Sequence, residues 1–200
     1  MWYIWMRWHE MQRNSTHPAP DIILAARELS LGGLIVALGI VTPIAFHALG
    51  SGPVWLPMHL PILAGAMLLS PAMAALVAAI TPVVSAALTG MPPISPPIAL
   101  FMAPELAVIA LAASLLHRRA RVNAWLSALG AILCGRLFYA FELFVLAPVI
   151  GINLPAAAAG AAALLRGLPG ICVQLIVVPP IVAMLERPRT QEHNLPAAKG

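Results

Sequence analysis

Long apolar segments alternate with short polar or proline-rich breaks along the chain. An apolar run of about 20 residues is long enough to cross a bilayer as a helix. The breaks predict six helical spans, at about Glu28–Phe46, His59–Leu69, Ala72–Thr89, Ile98–Leu116, Asn123–Ala147 and Leu168–Leu185. The pattern therefore predicts an all-α integral membrane protein built as a six-transmembrane-helix bundle.

The second predicted span, His59–Leu69, is shorter than the others. At about 1.5 Å per residue it does not cross roughly 30 Å of hydrocarbon. Either it tilts into a neighbour, or the segment Trp55–Pro61 enters the membrane as irregular backbone. Such backbone is tolerated there only where it is buried in protein or lines a cavity. We therefore expect a short or broken second helix beside an outward-facing pocket.

Composition agrees with a membrane protein, because 61% of the 200 residues are hydrophobic and only 9% are charged. The net charge of +4 does not indicate nucleic-acid binding, since the basic residues other than Arg136 and Arg166 lie in the tails and one short loop. The basic clusters are Arg7, Arg13 and Arg27, then Arg118, Arg119 and Arg121, then Arg187, Arg189 and Lys199.

An even number of spans places these three clusters on one side of the membrane, which the positive-inside rule assigns to the cytoplasm. We predict a cytoplasmic N-terminal tail at residues 1–27, which could lie at the membrane interface. A six-span substrate-binding membrane domain follows at 28–186, and a cytoplasmic C-terminal tail at 187–200.

Several polar residues fall at one depth in the predicted bundle. Counted from the cytoplasmic end of each span at about 1.5 Å per residue, His59, Glu105 and Gln174 lie roughly 17–18 Å deep and Arg136 roughly 21 Å deep. Tyr139 shares a helix face with Arg136. A polar layer in the outer half of the membrane is what an outward-facing pocket requires. We predict that these five residues bind substrate.

Structural roles stay open for four of them. Glu105 and Arg136 could form a buried ion pair that only orders the bundle. Gln174 could hydrogen-bond between helices, and His59 could cap the start of its helix. No catalytic residue and no metal site is predicted.

Four other residues are not expected to bind substrate. Cys134 and Cys172 lie in apolar segments, so we expect buried free thiols and neither a disulfide nor a metal site. His47 and Glu142 lie near the outer ends of their spans, where we expect water to solvate them.

Short motifs occur in an order that resembles a known family. They are Met58-His59-Leu60-Pro61 with Ala64-Gly65, then Gly90-Met91-Pro92, Glu105-Leu106, Gly135-Arg136 with Tyr139, and Leu168-Pro169-Gly170 with Gln174. Over about Leu31–Leu185 the chain resembles the substrate-binding S components of energy-coupling-factor (ECF) vitamin transporters. Ser70-Pro71 departs from the Gly-Pro that is usual at that turn.

The resemblance implies a subunit that binds a vitamin or vitamin precursor, such as a pyridoxine-like or pyrimidine-like ring, in a prokaryotic inner membrane. It implies a transmembrane coupling subunit and two ATPase subunits as partners. The chain lacks a Gly-x-x-x-x-Gly-Lys-Ser/Thr loop, so we expect the partners to hydrolyse ATP and the chain to hold no cofactor.

Small residues on the first span, Ala26, Ser30, Gly33 and Ala37, permit close helix contact. In the family that the chain resembles, small residues on this helix dock on the coupling subunit. The other interpretation is ordinary packing within the bundle.

Two other classes of function are alternatives to a binding subunit. A stand-alone secondary transporter could couple a small polar solute to protons through Glu105 and His59. An intramembrane enzyme is disfavoured, because the chain has no His-Glu-x-x-His and no Gly-x-Ser-x-Gly motif. We therefore expect a transport protein and not an enzyme.

Overall fold

Each apolar run forms a helix, because in lipid only intrahelical hydrogen bonds satisfy the backbone of a single span. The computed structural model describes residues 2–3, 20–48, 50, 55–94, 98–149, 151 and 167–186. The main helices are α1 (Pro20–Ala48), α2 (His59–Leu68), α3 (Pro71–Thr89), α4 (Ile98–Ser114), α5 (Ala124–Phe141) and α6 (Leu168–Glu186).

Two of these helices continue through a wider π-helical turn. One such turn, Leu115–Arg119, follows α4, and the other, Glu142–Leu146, follows α5 and leads into Ala147–Val149. The predicted tails at 1–27 and 187–200 lie largely or wholly outside the described residues.

Five helices are long and apolar enough to cross a membrane, and α2 is a shorter apolar helix. This confirms the predicted all-α bundle with a short second helix. The first helix begins at Pro20 and not at Glu28. Its early start has a local reason, since proline suits the first turn of a helix and the charged pair Arg27-Glu28 does not end one.

The short helix α2 lies at the centre of the bundle. It contacts α1, α3, α4 and α6. Its side chains Ile62, Leu63 and Met67 are fully buried. Because α2 begins at His59, this central position brings a polar side chain into the apolar interior.

Irregular backbone precedes α2 and is buried in protein, as the second of the two sequence interpretations requires. Leu56 adopts a left-handed conformation with φ of 48°. Pro57 and Met58 are buried. The Thr42 hydroxyl of α1, which donates to the Leu38 carbonyl at 2.8 Å, also lies 3.2 Å from the Pro57 carbonyl. On the other side, Gly170 of α6 lies so close to the Trp55 backbone that a Cβ at that position would be 2.8 Å from its carbonyl.

The outer surface of the bundle is apolar, with exposed side chains such as Leu38, Leu137 and Ile176. Cys134 and Cys172 are free thiols on this exposed surface, so the prediction that they are buried was wrong. The reason is that lipid is as apolar as a protein core, and hydropathy does not distinguish the two environments.

Glycine permits close contact between helices at several positions. The Ile35 side chain occupies the space beside Gly65, and that of Ile109 occupies the space beside Gly135. Gly33, by contrast, has nothing within 4 Å of the position that a Cβ would take. A larger side chain would therefore collide with a neighbouring helix at Gly65 or Gly135, whereas it would meet no neighbour at Gly33.

We expect Gly65→Leu to lower the unfolding temperature of the purified protein in detergent, because overpacking a core costs about 1–3 kcal/mol. Gly33→Leu is the matched control and should leave that temperature unchanged or raise it, since leucine is the better helix former. Equal destabilisation by the two substitutions would contradict the packing of α1 against α2.

Candidate functional site

Glu105 is the central residue of a buried polar cluster. Its Oε1 lies 3.0 Å from Nη1 of Arg136 and 3.9 Å from Nε2 of His59. The side chains of Glu105 and His59 are only 3% and 2% exposed, and that of Arg136 is 17% exposed. The structure therefore brings together three of the five predicted site residues from α2, α4 and α5.

Local sequence explains how these three residues meet. Gly135 has no side chain, so Ile109 of α4 packs directly against the backbone of α5. Arg136 is the next residue after Gly135, and Glu105 lies one turn before Ile109 on α4. The close approach of the two helices thus places the guanidinium within reach of the carboxylate.

The Glu105–Arg136 contact is an ion pair without an aligned hydrogen bond, since Glu105 Oε1 is 3.0 Å from Nη1 but accepts no well-directed N–H. Several other buried atoms also have no hydrogen-bond partner in the described part of the chain. They are both ring nitrogens of His59, Arg136 Nε, Glu142 Oε2 and Gln174 Nε2. An unsatisfied buried polar group costs about 1–3 kcal/mol, so such a concentration calls for a partner from outside the described residues.

Two of the structural alternatives are not seen in this geometry. The His59 ring does not cap α2, because neither of its nitrogens has a hydrogen-bond partner. The amide nitrogen of Gln174 makes no interhelical hydrogen bond within the described residues. The third alternative, an ion pair between Glu105 and Arg136, is present.

Gln174 and Tyr139 flank this cluster. Gln174 is 1% exposed on α6, the helix that packs against both α2 and α5. Tyr139 is half-buried, one turn after Arg136, and lies within electrostatic range of Glu105, Arg136 and Glu142.

Glu142 is a second buried acid, on the helical segment that continues from α5, and the sequence analysis did not expect its burial. It is 1% exposed, so the expectation that water solvates it was wrong, whereas His47 is exposed as expected. Glu142 begins the π-helical turn after α5. Its spacing of three residues from Tyr139 was the available signal, because residues at this spacing share a helix face.

A second group of polar contacts joins α1, the start of α3, the turn after α4 and the end of α6. Glu28 accepts hydrogen bonds from the backbone N–H of Ser70 at 2.9 Å and from its hydroxyl at 2.6 Å, and Arg118 lies 3.4 Å away. His117 lies 3.0 Å from Glu186. Ser70 stands where glycine is usual in the family that the chain resembles. The serine has a structural role here, since glycine would offer no hydroxyl to Glu28.

The four small residues of α1, Ala26, Ser30, Gly33 and Ala37, are all exposed. They recur at helical spacing and form what we call the small-residue face. Buried residues such as Gly32, Ile35 and Gly39 form the opposite face, which packs inward. The small-residue face is therefore not used for packing within the described part of the chain, and its role in docking stays a prediction.

Metal binding finds no support in the described residues, which contain no group of three or more His, Cys, Asp and Glu that could hold an ion.

Comparison with protein families gives one match. The model described as "ECF transporter, substrate-specific component" matches residues 27–182, which is most of the chain. This family comprises transporter components and not enzymes. No curated protein and no solved structure matches the chain.

The ion pair generates a prediction about stability. Glu105→Gln alone should lower the unfolding temperature in detergent, because an unpaired buried guanidinium costs about 3–5 kcal/mol at full burial and less at the partial exposure of Arg136. The double variant Glu105→Gln/Arg136→Gln should recover most of the loss. Glu186→Gln, with an exposed carboxylate, is the control and should change little. A double variant as unstable as the sum of the two single variants would contradict the pairing.

Proposed function

Because the chain belongs to the family of ECF transporter substrate-specific components, we propose that it captures a vitamin or vitamin precursor for uptake driven by ATP hydrolysis in partner subunits. The proposed binding residues are His59, Glu105, Arg136, Tyr139 and Gln174. The proposed setting is a prokaryotic inner membrane with both termini in the cytoplasm and the site facing outward.

One observation carries this proposal: a charged cluster lies inside an apolar bundle and is bordered by polar atoms without hydrogen-bond partners. Ionisable groups at membrane depth are costly and occur mainly where they serve transport or binding. An ion pair with a purely structural role could be replaced by apolar side chains with little loss of stability. A polar ligand would provide the missing hydrogen bonds and would thereby be held specifically.

The proposed partners are a transmembrane coupling subunit and two ATPase subunits. The small-residue face of α1 is the proposed docking surface, because small side chains allow two helix backbones to approach closely in a membrane. The opposite face of α1 packs against α2 and α3. Docking on α1 would therefore displace no contact among the described residues.

A stand-alone proton-coupled carrier is the second candidate. The observation that favours it is the 3.9 Å distance between Nε2 of His59 and Oε1 of Glu105, which a small movement of either side chain would convert into a hydrogen bond. The two functions differ in their energy source and in their need for partner subunits.

Uptake and co-purification test the proposal. The chain, co-expressed with a coupling subunit and two ATPases, should purify as a complex and support ATP-dependent uptake in proteoliposomes. Gly33→Leu and Ala37→Leu should reduce both complex formation and uptake by about tenfold or more, whereas mass spectrometry should still find the same small molecule on the isolated subunit.

Ala183→Leu is the matched control, since it adds the same bulk to an exposed position on α6. It should leave complex formation and uptake unchanged. Uptake by the purified chain alone, driven by a proton gradient, would contradict the proposal and favour the carrier. Loss of the retained small molecule in the two α1 variants would show that this face supports the binding site instead.

Orientation is tested by cysteine labelling in a Cys134→Ser/Cys172→Ser background. Arg119→Cys, in the basic turn after α4, should be protected from a membrane-impermeant thiol reagent in intact cells. Ile94→Cys, in the exposed connection between α3 and α4, should react. The reverse labelling pattern would overturn both the cytoplasmic termini and the outward-facing site.

A further inference from the structure

We propose that the turn between α4 and α5 binds the headgroup of an anionic phospholipid through Arg119 and Arg121. This turn, which we call the basic corner, comprises residues 115–123, and Trp125 follows it at the start of α5. The inference goes beyond the proposed function, since it requires only that the bundle spans a membrane. The surface lies roughly 20 Å along α4 from the Glu105 cluster and shares no residue with it.

Two arginines of the basic corner have no acidic partner in the described part of the chain. Arg119 and Arg121 are exposed, and no described carboxylate lies within 4.0 Å of either guanidinium. Two carboxylates, those of Glu28 and Glu186, lie at this end of the bundle, and both are engaged by other basic side chains, at 3.4 and 3.0 Å. The two free guanidiniums therefore present positive charge that a ligand from outside can neutralise.

Hydrogen bonds hold the backbone of the basic corner in place. The N–H of Ala120 donates to the Leu115 carbonyl, and that of Val122 donates to the Leu116 carbonyl, both at 2.9 Å. The Nδ1 atom of His117 lies 3.0 Å from the Val122 carbonyl. A turn that is already ordered presents its side chains at little further cost in backbone entropy when a ligand binds.

The basic corner lies at the level of the lipid headgroups. It ends the apolar segment Ile98–Arg119, whose 22 residues are enough to cross the hydrocarbon of a bilayer. Trp125 is 52% exposed, and tryptophan favours the boundary between lipid and water. Arg119 and Arg121 therefore lie where the phosphate groups of lipids are abundant.

The chemistry of arginine indicates which headgroup fits. A guanidinium forms paired, charge-assisted hydrogen bonds with a phosphate, and each basic residue at an anionic membrane surface adds to the attraction. A zwitterionic headgroup carries a positive charge of its own, which opposes this attraction. The basic corner therefore selects anionic over zwitterionic phospholipids. An acidic segment of a partner protein offers the same charge, but the exposed Trp125 and the position at the headgroups favour a lipid.

Native mass spectrometry of the full-length chain in detergent tests this assignment. Dioleoyl phosphatidylglycerol and dioleoyl phosphatidylcholine share their acyl chains and differ in headgroup charge. When both are present at equal micromolar concentration, the wild-type chain should retain the phosphatidylglycerol in about tenfold or greater preference. Inorganic phosphate at the same concentration should not displace it, because a free anion lacks the contacts that the acyl chains make with the apolar surface.

Variants then assign the preference to the basic corner. Arg119→Gln/Arg121→Gln should lower the retention of phosphatidylglycerol to that of phosphatidylcholine. The unfolding temperature should stay unchanged, since both side chains are exposed and have no described ion-pair partner. Arg27→Gln is the matched control for Arg121→Gln, because each removes one exposed arginine at this end of the bundle. It should keep most of the preference, since the carboxylate of Glu28 is next to it in sequence.

Four results would overturn the proposal. They are equal retention of the two lipids by the wild-type chain, displacement of phosphatidylglycerol by inorganic phosphate, an equal loss of preference in Arg27→Gln and Arg121→Gln, and wild-type preference in the double variant. The third would show that only total charge matters. If the double variant keeps its lipid but no longer assembles with a coupling subunit and ATPases, the basic corner binds a protein partner instead. All lipid measurements use the isolated chain, so a failure of the proposed transport function would not alter them.

Discussion

The ion pair between Glu105 and Arg136 is the constraint on which the arrangement of the bundle depends. A charge that is removed from water and placed among apolar helices must have a partner of opposite sign within reach. Here that requirement fixes the distance between α4 and α5, which Gly135 permits. The central helix α2 adds His59, its first residue, to this ion pair, with Nε2 at 3.9 Å from Glu105 Oε1.

The two ends of the bundle satisfy their polar groups differently. At the end that holds Glu28, the carboxylate receives two hydrogen bonds from Ser70, and His117 contacts Glu186. In the cluster around Glu105, buried nitrogen and oxygen atoms lack hydrogen-bond partners in the described residues. The contacts of Glu28 and His117 stabilise the connections between helices. The atoms around Glu105, by contrast, keep unused hydrogen-bonding capacity.

Apolar periodicity predicted the helices well, because the length of each apolar run is set by the thickness of the bilayer and the breaks between runs are rich in proline. Depth counting also grouped His59, Glu105 and Arg136, since the rise of a helix is nearly constant. The same counting failed for Glu142. Depth along a span does not tell whether a side chain near its end faces water or the bundle interior, and Glu142 is buried although it lies at the end of α5. The exposure of Cys134 was missed for another reason, because lipid and core attract the same side chains.

The contact between the Thr42 hydroxyl and the Pro57 carbonyl, 3.2 Å apart, has a mechanical consequence. Thr42 belongs to α1, the helix that also bears the exposed small-residue face, while Pro57 lies two residues before His59. A displacement of α1 is thus transmitted to the backbone that sets the position of the imidazole. If a partner docks on the small-residue face and shifts α1, thermodynamic reciprocity requires that it changes the affinity for a bound solute, and that the solute changes the affinity for the partner by the same factor.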